Sequence, residues 1–345
     1  MTLFLLLTRL TSIAIFSSPA PSPKASWLAR KNTGQIIADS IRAVIAQEKL
    51  SANSKVGMYG YSGGGHATVS FADIYDGYAP ELNVIGAAYG GTPIDPEHSL
   101  RYLNGGVFSG FAGAALVGMA SQNPPLQEFF DQYANDQGRA FIKSITARNQ
   151  CVGNVVLQYT FIDYLKLVNY TNPLSEPRFQ ATLENETFLR AKTNRTVGVP
   201  KFKRLMYHAM YDEIIPYNDT QQYIKDQCEQ GASIQSFTSP ITEHVTTQMA
   251  GWLPTIAWLQ QAFEGSLPDV QCGTAFNTSS IGDAAQVLGS QDLANRYNIL
   301  QNNPAVLQGL FGLAHQSDGN ATGIVKDSSN INSQAAAVIS SVIKG

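Results

Sequence analysis

Apolar positions along the chain fall into two alternating patterns: stripes at helical spacing and short runs of strand length. Ile37, Ile41, Val44 and Ile45 lie at i, i+4, i+7 and i+8, with Asp39, Arg42, Gln47 and Glu48 largely off that stripe. This predicts an amphipathic helix over residues 33–50. Residues 55–59 read as a short buried strand ending at Gly60, and the glycine-rich stretch 60–65 leads into a second helical pattern through Ala67, Val69, Ala72 and Ile74. Residues 83–89 repeat the strand pattern and stop at Gly90-Gly91-Thr92-Pro93. Strand, turn, helix and strand in that order are the grammar of a parallel sheet covered on both faces.

Residues 96–196 break the alternation. Helical patterns dominate there, with a small-residue run near 110–119 and interruptions at Pro124-Pro125 and Asn172-Pro173. Strand grammar resumes at 202–210, followed by a helix near 220–228, a strand at 232–237, a loop, and a helix over about 245–263 with Trp252, Ile256 and Leu259 on one face. The expected organisation is a leader-like and linker segment at 1–25, a first core part at 26–95, a helical insertion at 96–196, a second core part at 197–265, and a Gly/Asn/Ser-rich extension at 266–345. The fold class is α/β, and no internal repeat is present.

Composition narrows the setting. With a formal net charge of −3, the chain carries no electrostatic footprint for nucleic acid or an anionic membrane. Charged residues make up only 14%, against about a quarter in an average soluble domain, and Asn, Gln, Ser and Thr take over the polar positions. Asn-x-Ser/Thr triplets occur at Asn169, Asn185, Asn194, Asn218, Asn277 and Asn320. Together these features suit a secreted, glycosylated protein. The three cysteines, Cys151, Cys228 and Cys272, leave one thiol over in an oxidising compartment. No apolar stretch has the length of a membrane span. The runs 3–7 and 13–16, separated by Arg9 and followed by Ser, Pro and Ala, resemble a signal peptide whose charge sits inside the apolar region instead of ahead of it.

The chemistry-bearing motif is Gly60-Tyr61-Ser62-Gly63-Gly64, a match to G-x-S-x-G between a strand pattern and a helix pattern. A serine on so tight a turn needs small flanking residues, so Gly60 and Gly64 have a steric reason to be there. The N–H of Gly63, at a helix N-terminus, is a candidate oxyanion donor. A glycine-rich strand-to-helix turn with an incidental serine is the plain alternative. A phosphate loop fits less well, because no Lys follows the glycines.

A serine nucleophile needs a base, itself oriented by a carboxylate, and in this fold class the chain order is serine, acid, base. Of the five histidines, His66 is expected to point away from the face above the turn, and His208 to be a satisfied core residue inside a strand. His98 opens the insertion and His315 lies in the tail. His244 stands in the loop between a strand and the long helix, where a base can project over the strand ends. Asp212 follows the strand 202–210, and its interval to His244 holds one helix and one strand; the neighbouring Glu213 is the rival acid. No C-x-x-C, H-E-x-x-H or similar spacing suggests a metal site.

With these residues in place, the chain resembles the secreted fungal lipases of the Candida antarctica lipase A type. The resemblance covers roughly residues 26–290: 60–64 resembles that family's nucleophile elbow, 207–216 its acid loop, 243–245 its base, and 272–274 with 288–290 its C-terminal portion. It implies an α/β-hydrolase fold, a helical lid at 96–196 over an acyl-binding cleft, and a tail that forms a flap near the entrance. It also implies cofactor-free hydrolysis of carboxylic esters of acylglycerols. The substrate would be a lipid or ester, in the setting of a lipid–water interface. Members of the family carry several strands ahead of the helix matching 33–50, and a loop among them supplies a second oxyanion donor. That part of the sheet is expected to be missing here. By the same resemblance Cys151 pairs with a cysteine in that segment, leaving Cys228 and Cys272 to pair with each other.

Overall fold

The computed structural model describes residues 3–7, 12–16, 28–147, 152–240 and 242–275. Near the start of the chain, β1 (Leu3–Leu7) and β2 (Ser12–Phe16) pair antiparallel as a hairpin. The two apolar runs of the leader-like segment thus supply strands to the sheet. Next come α1 (Arg30–Gln47), β3 (Val56–Tyr61), α2 (Gly63–Tyr78) and β4 (Val84–Gly90). A helical stretch follows: α3 (Pro96–Leu103), α4 (Ser109–Ala120), α5 (Pro124–Tyr133), α6 (Asp136–Ile145), α7 (Val152–Gln158) and α8 (Pro177–Glu186). The second core part consists of β5 (Arg204–Ala209), α9 (Tyr217–Cys228), β6 (Ile234–Ser239), α10 (His244–Glu264) and β7 (Thr274–Ala275).

The strands lie in the order β2-β1-β3-β4-β5-β6-β7. β3 through β7 are parallel, and β1 lies antiparallel against β3, with Leu3 opposite Gly60 and Leu7 opposite Val56. Period-2 alternation divides the strand side chains between two cores. Val56, Met58, Tyr89 and Met206 pack with residues of α1, α2 and α9. Tyr59, Tyr61, Leu205 and Tyr207 pack with Trp258, Leu259 and Ala262 of α10. Trp258 is fully buried, and its indole N–H donates to Gln235 Oε1 at 2.7 Å, which satisfies the polar edge of a ring that fills the α10 face.

The helical stretch has its own apolar cluster, with Leu100, Leu116, Phe129, Phe141 and Phe179 among its members. Its prolines start helices as well as stopping them: Pro124 and Pro177 occupy the first turns of α5 and α8, where a missing N–H costs nothing. Ile214 and Ile215, from the loop after β5, belong to the same cluster. The helical stretch therefore grips the loop that carries Asp212. α10 begins with a capping box between Glu243 and Thr246 and ends at Gly265 with φ +73°.

The chain divides into two units, Met1–Asn277 and Thr278–Gly345. The second lies outside the described residues, as do His315, Cys151, Asn277, Asn320 and most of the expected flap. Among the described residues no helix is long and apolar enough to cross a membrane.

Candidate active site

Ser62 sits between the end of β3 and the start of α2, with φ 56° and ψ −123°. A non-glycine residue at positive φ is strained and persists only where its surroundings hold it. Two main-chain bonds do so here: Ser62 N–H donates to Gly90 O and His66 N–H to Ser62 O, both at 2.9 Å. The steric reason for Gly60 is explicit. A Cβ there would lie 2.1 Å from Gly64 O and 2.5 Å from Thr68 Oγ1, so no side chain fits. Gly63 opens α2, so its N–H is one of the donors a helix leaves unpaired at its N-terminus.

The loop after β5 brings Asp212 to the ring of His244, the first residue of α10. Asp212 Oδ2 accepts from His244 Nδ1 at 2.8 Å. Asp212 Oδ1 accepts the N–H groups of Ile214 and Ile215 at 3.0 and 2.7 Å, which fixes the carboxylate plane. Burial alone would raise the Asp212 pKa. Hydrogen bonds from His208 and His244 outweigh it and hold the carboxyl well below its usual range, so Asp212 is an anion at neutral pH. Glu213, the rival acid, bonds the main chain of His244 and not its ring nitrogen: its Oε2 accepts the His244 N–H at 2.9 Å.

Ser62, Gly63 and His244 line one cavity of about 250 Å³. Its remaining wall is mostly apolar, with Leu100, Leu103, Phe111, Leu116 and Met119 from the helical stretch and Ile214 and Ile215 from the acid loop. Tyr61, next to Ser62 in the turn, donates its hydroxyl to His244 O at 2.5 Å. Burial pushes the Tyr61 phenol well above its ordinary pKa, with the Asp212 charge adding to the effect, so it remains a protonated donor.

The other described histidines differ in part from expectation. His66 does not point away from the turn; it lines the same cavity as Ser62. It is buried, packs edge-on against Phe188, and has Ser70 Oγ 3.4 Å from Nδ1. The i+4 spacing from Ser62 gives a helical turn but not the side of the helix. His208 is a buried strand residue as expected, with Nδ1 2.8 Å from Thr220 Oγ1. In addition its Nε2 lies 3.1 Å from Asp212 Oδ2, a second nitrogen beside the acid that the sequence did not reveal. His98 pairs with Asp219 at 2.8 Å.

Cys228 and Cys272 form a disulfide. The described sequon residues Asn169, Asn185, Asn194 and Asn218 are all exposed. Among the described residues no group of three or more His, Cys, Asp or Glu is placed to hold a metal ion.

A mostly parallel sheet, a strained serine turn after β3, an Asp after β5 and a His after β6 define an α/β-hydrolase fold. The chain belongs to the secretory lipase family, whose model matches residues 7–270. It is similar to lipase A of Moesziomyces aphidis, with 40% identity over 301 residues, covering 86% of this chain and 65% of that protein. It is also similar to the secreted triacylglycerol lipase LIP1 of Malassezia furfur, with 32% identity over 74% of this chain and 52% of that protein. The crystal structure of Candida antarctica lipase A in its closed state superposes with a TM-score of 0.76 at 41% identity, over 80% of this chain and 64% of that one. The chain thus spans between half and two thirds of the length of these relatives.

Proposed function

We propose that the protein is a secreted serine-dependent lipase or esterase that hydrolyses carboxylic esters of acylglycerols through an acyl-enzyme. Ser62 is the nucleophile, His244 the general base and then general acid, and Asp212 the anion that orients the imidazole. The observation that carries this reading is the 2.8 Å bond from His244 Nδ1 to a buried, ionised Asp212. It leaves Nε2 of a residue that shares a cavity with Ser62 as the free ring nitrogen. In the reaction, Ser62 Oγ attacks the ester carbonyl while His244 Nε2 takes its proton. The N–H of Gly63 stabilises the oxyanion, and the departing alcohol receives the proton from His244. Water, activated by the same base, then releases the acid.

The substrate class is supported by the apolar wall of the cavity and by the secretory lipase family, two of whose members are named lipase A and secreted triacylglycerol lipase. The helical stretch 96–196 acts as the lid over the acyl site. Export is supported by the Cys228–Cys272 disulfide, by the exposed sequon residues and by the secreted relatives. The test compares release of acid from emulsified long-chain triacylglycerol, from short-chain esters and from peptides, with Ser62→Ala as the control. The expected result is ester hydrolysis, with long-chain acylglycerol accepted, and none by Ser62→Ala. Peptide cleavage in preference to esters would overturn the reading.

A further inference from the structure

We propose that Glu213, next to the acid, and Tyr61, next to the nucleophile, are positioning residues that clamp the main chain of His244 from opposite sides. The inference rests on the roles given above to Ser62, Asp212 and His244. Glu213 Oε2 accepts the His244 N–H at 2.9 Å, and the Tyr61 hydroxyl donates to the His244 carbonyl at 2.5 Å. Both peptide groups flanking the base are therefore tied down, one by each neighbour of the two residues that its ring must serve.

Three features define this clamp. First, α10 already has a cap, because Glu243 and Thr246 bond reciprocally across its first turn. Second, the Glu213 bond falls on the N–H of the helix's first residue, a donor with no partner inside the helix, at the end where the dipole favours an anion. Burial raises the Glu213 carboxyl above its usual pKa and the His244 N–H lowers it again, so the pairing offsets part of the cost of holding a carboxylate there. Third, the Tyr61 ring centroid lies 5.1 Å from that of His244. A Cβ on Gly91, which has φ +52°, would lie 2.8 Å from the Tyr61 hydroxyl and 2.9 Å from His244 Cε1. Glycine at that position lets the two rings and the β4 end come together. With the main chain fixed on both sides and Nδ1 held by Asp212, the direction of Nε2 is determined.

The test uses the full chain and measures steady-state hydrolysis of a p-nitrophenyl ester, thermal unfolding, and labelling of Ser62 by a fluorophosphonate. Misplacing a catalytic group by about 1 Å can cost on the order of 100-fold. Glu213→Ala is therefore expected to lower kcat by roughly 10- to 100-fold, with KM and the unfolding temperature little changed. Glu213→Gln, whose amide oxygen still accepts the N–H, is expected to recover most of that kcat. Tyr61→Phe, which removes only the hydroxyl, is expected to lower kcat in the same manner, and it keeps the test open if Glu213→Ala does not fold. Wild-type kcat in folded Glu213→Ala or in Tyr61→Phe would overturn the clamp, as would a Glu213→Gln variant no better than Glu213→Ala. Wild-type protein that is folded yet unlabelled at Ser62 would instead overturn the catalytic reading beneath it.

Discussion

At the scale of single residues, His66 makes stability depend on acidity. Burial, aided by the Arg30 charge, pushes its pKa down to about 3, against about 6.5 in an unfolded chain. Between those values the unfolded state binds the extra proton and the folded state does not. Stability from this group is therefore complete above about pH 6.5 and is lost as pH falls. The loss is about 2–3 kcal/mol by pH 4.5. Asp212, held below its usual range, adds a loss that begins only near pH 4, whereas Glu186 and Glu213, raised by burial, act in the opposite direction. Urea unfolding at pH 7, 5.5 and 4.5 isolates the histidine: His66→Gln should show a flatter dependence than wild type, and an unchanged slope would contradict the assignment. The sequence singled out Ser62, Asp212 and His244 because the proposed chemistry needs those side chains in that order on loops after strands, and the fold brings Asp212 to His244 and sets Ser62 and His244 on one cavity. The place of His66 was not legible, nor was the grip of Tyr61 and Glu213 on the His244 main chain. Side-chain bonds to a peptide group leave no spacing signature.

At the scale of elements, the parallel core was readable wherever an apolar run was bounded by glycine or proline. Residues 55–59, 83–89, 202–210 and 232–237 each fall within three residues of an observed strand. The β1–β2 hairpin was not readable, because a short apolar run near Arg9 looks the same whether it leads a secreted chain or pairs with a distant strand. Its membership depends on the long-range register between Leu3–Leu7 and β3. β7 has only two residues, too few for any period. The Cys228–Cys272 pairing came from family resemblance alone. It ties the end of α9 to the segment that enters β7, closing a loop of 44 residues. Constraining a loop of that length in the unfolded chain is worth about 4 kcal/mol. The double variant Cys228→Ser, Cys272→Ser should lose about that much in denaturant unfolding, and a loss below about 1 kcal/mol would show that the bond constrains little.

At the scale of the molecule, the ends of three parallel strands, β3, β5 and β6, bring the candidate residues together. Ser62 follows β3, the loop of Asp212 follows β5 and His244 follows β6, while the helical stretch supplies the apolar wall and packs on the Asp212 loop through Ile214 and Ile215. The break in strand grammar at 96–196 pointed to a helical stretch; a place for it over the cleft came only from the family resemblance, and its contact with the Asp212 loop had no signal in the sequence. The central claim is that these parts assemble a reactive serine, and the most direct measurement is labelling of the chain, expressed in a secreting host, by a fluorophosphonate, with the modified residue mapped by mass spectrometry. The expected result is a single adduct on Ser62, absent in Ser62→Ala. Labelling should be slowed by about three to four orders of magnitude in Asp212→Asn, where the imidazole loses the anion that sets its tautomer. Folded protein without an adduct, an adduct on another residue, or wild-type labelling by Asp212→Asn would contradict it.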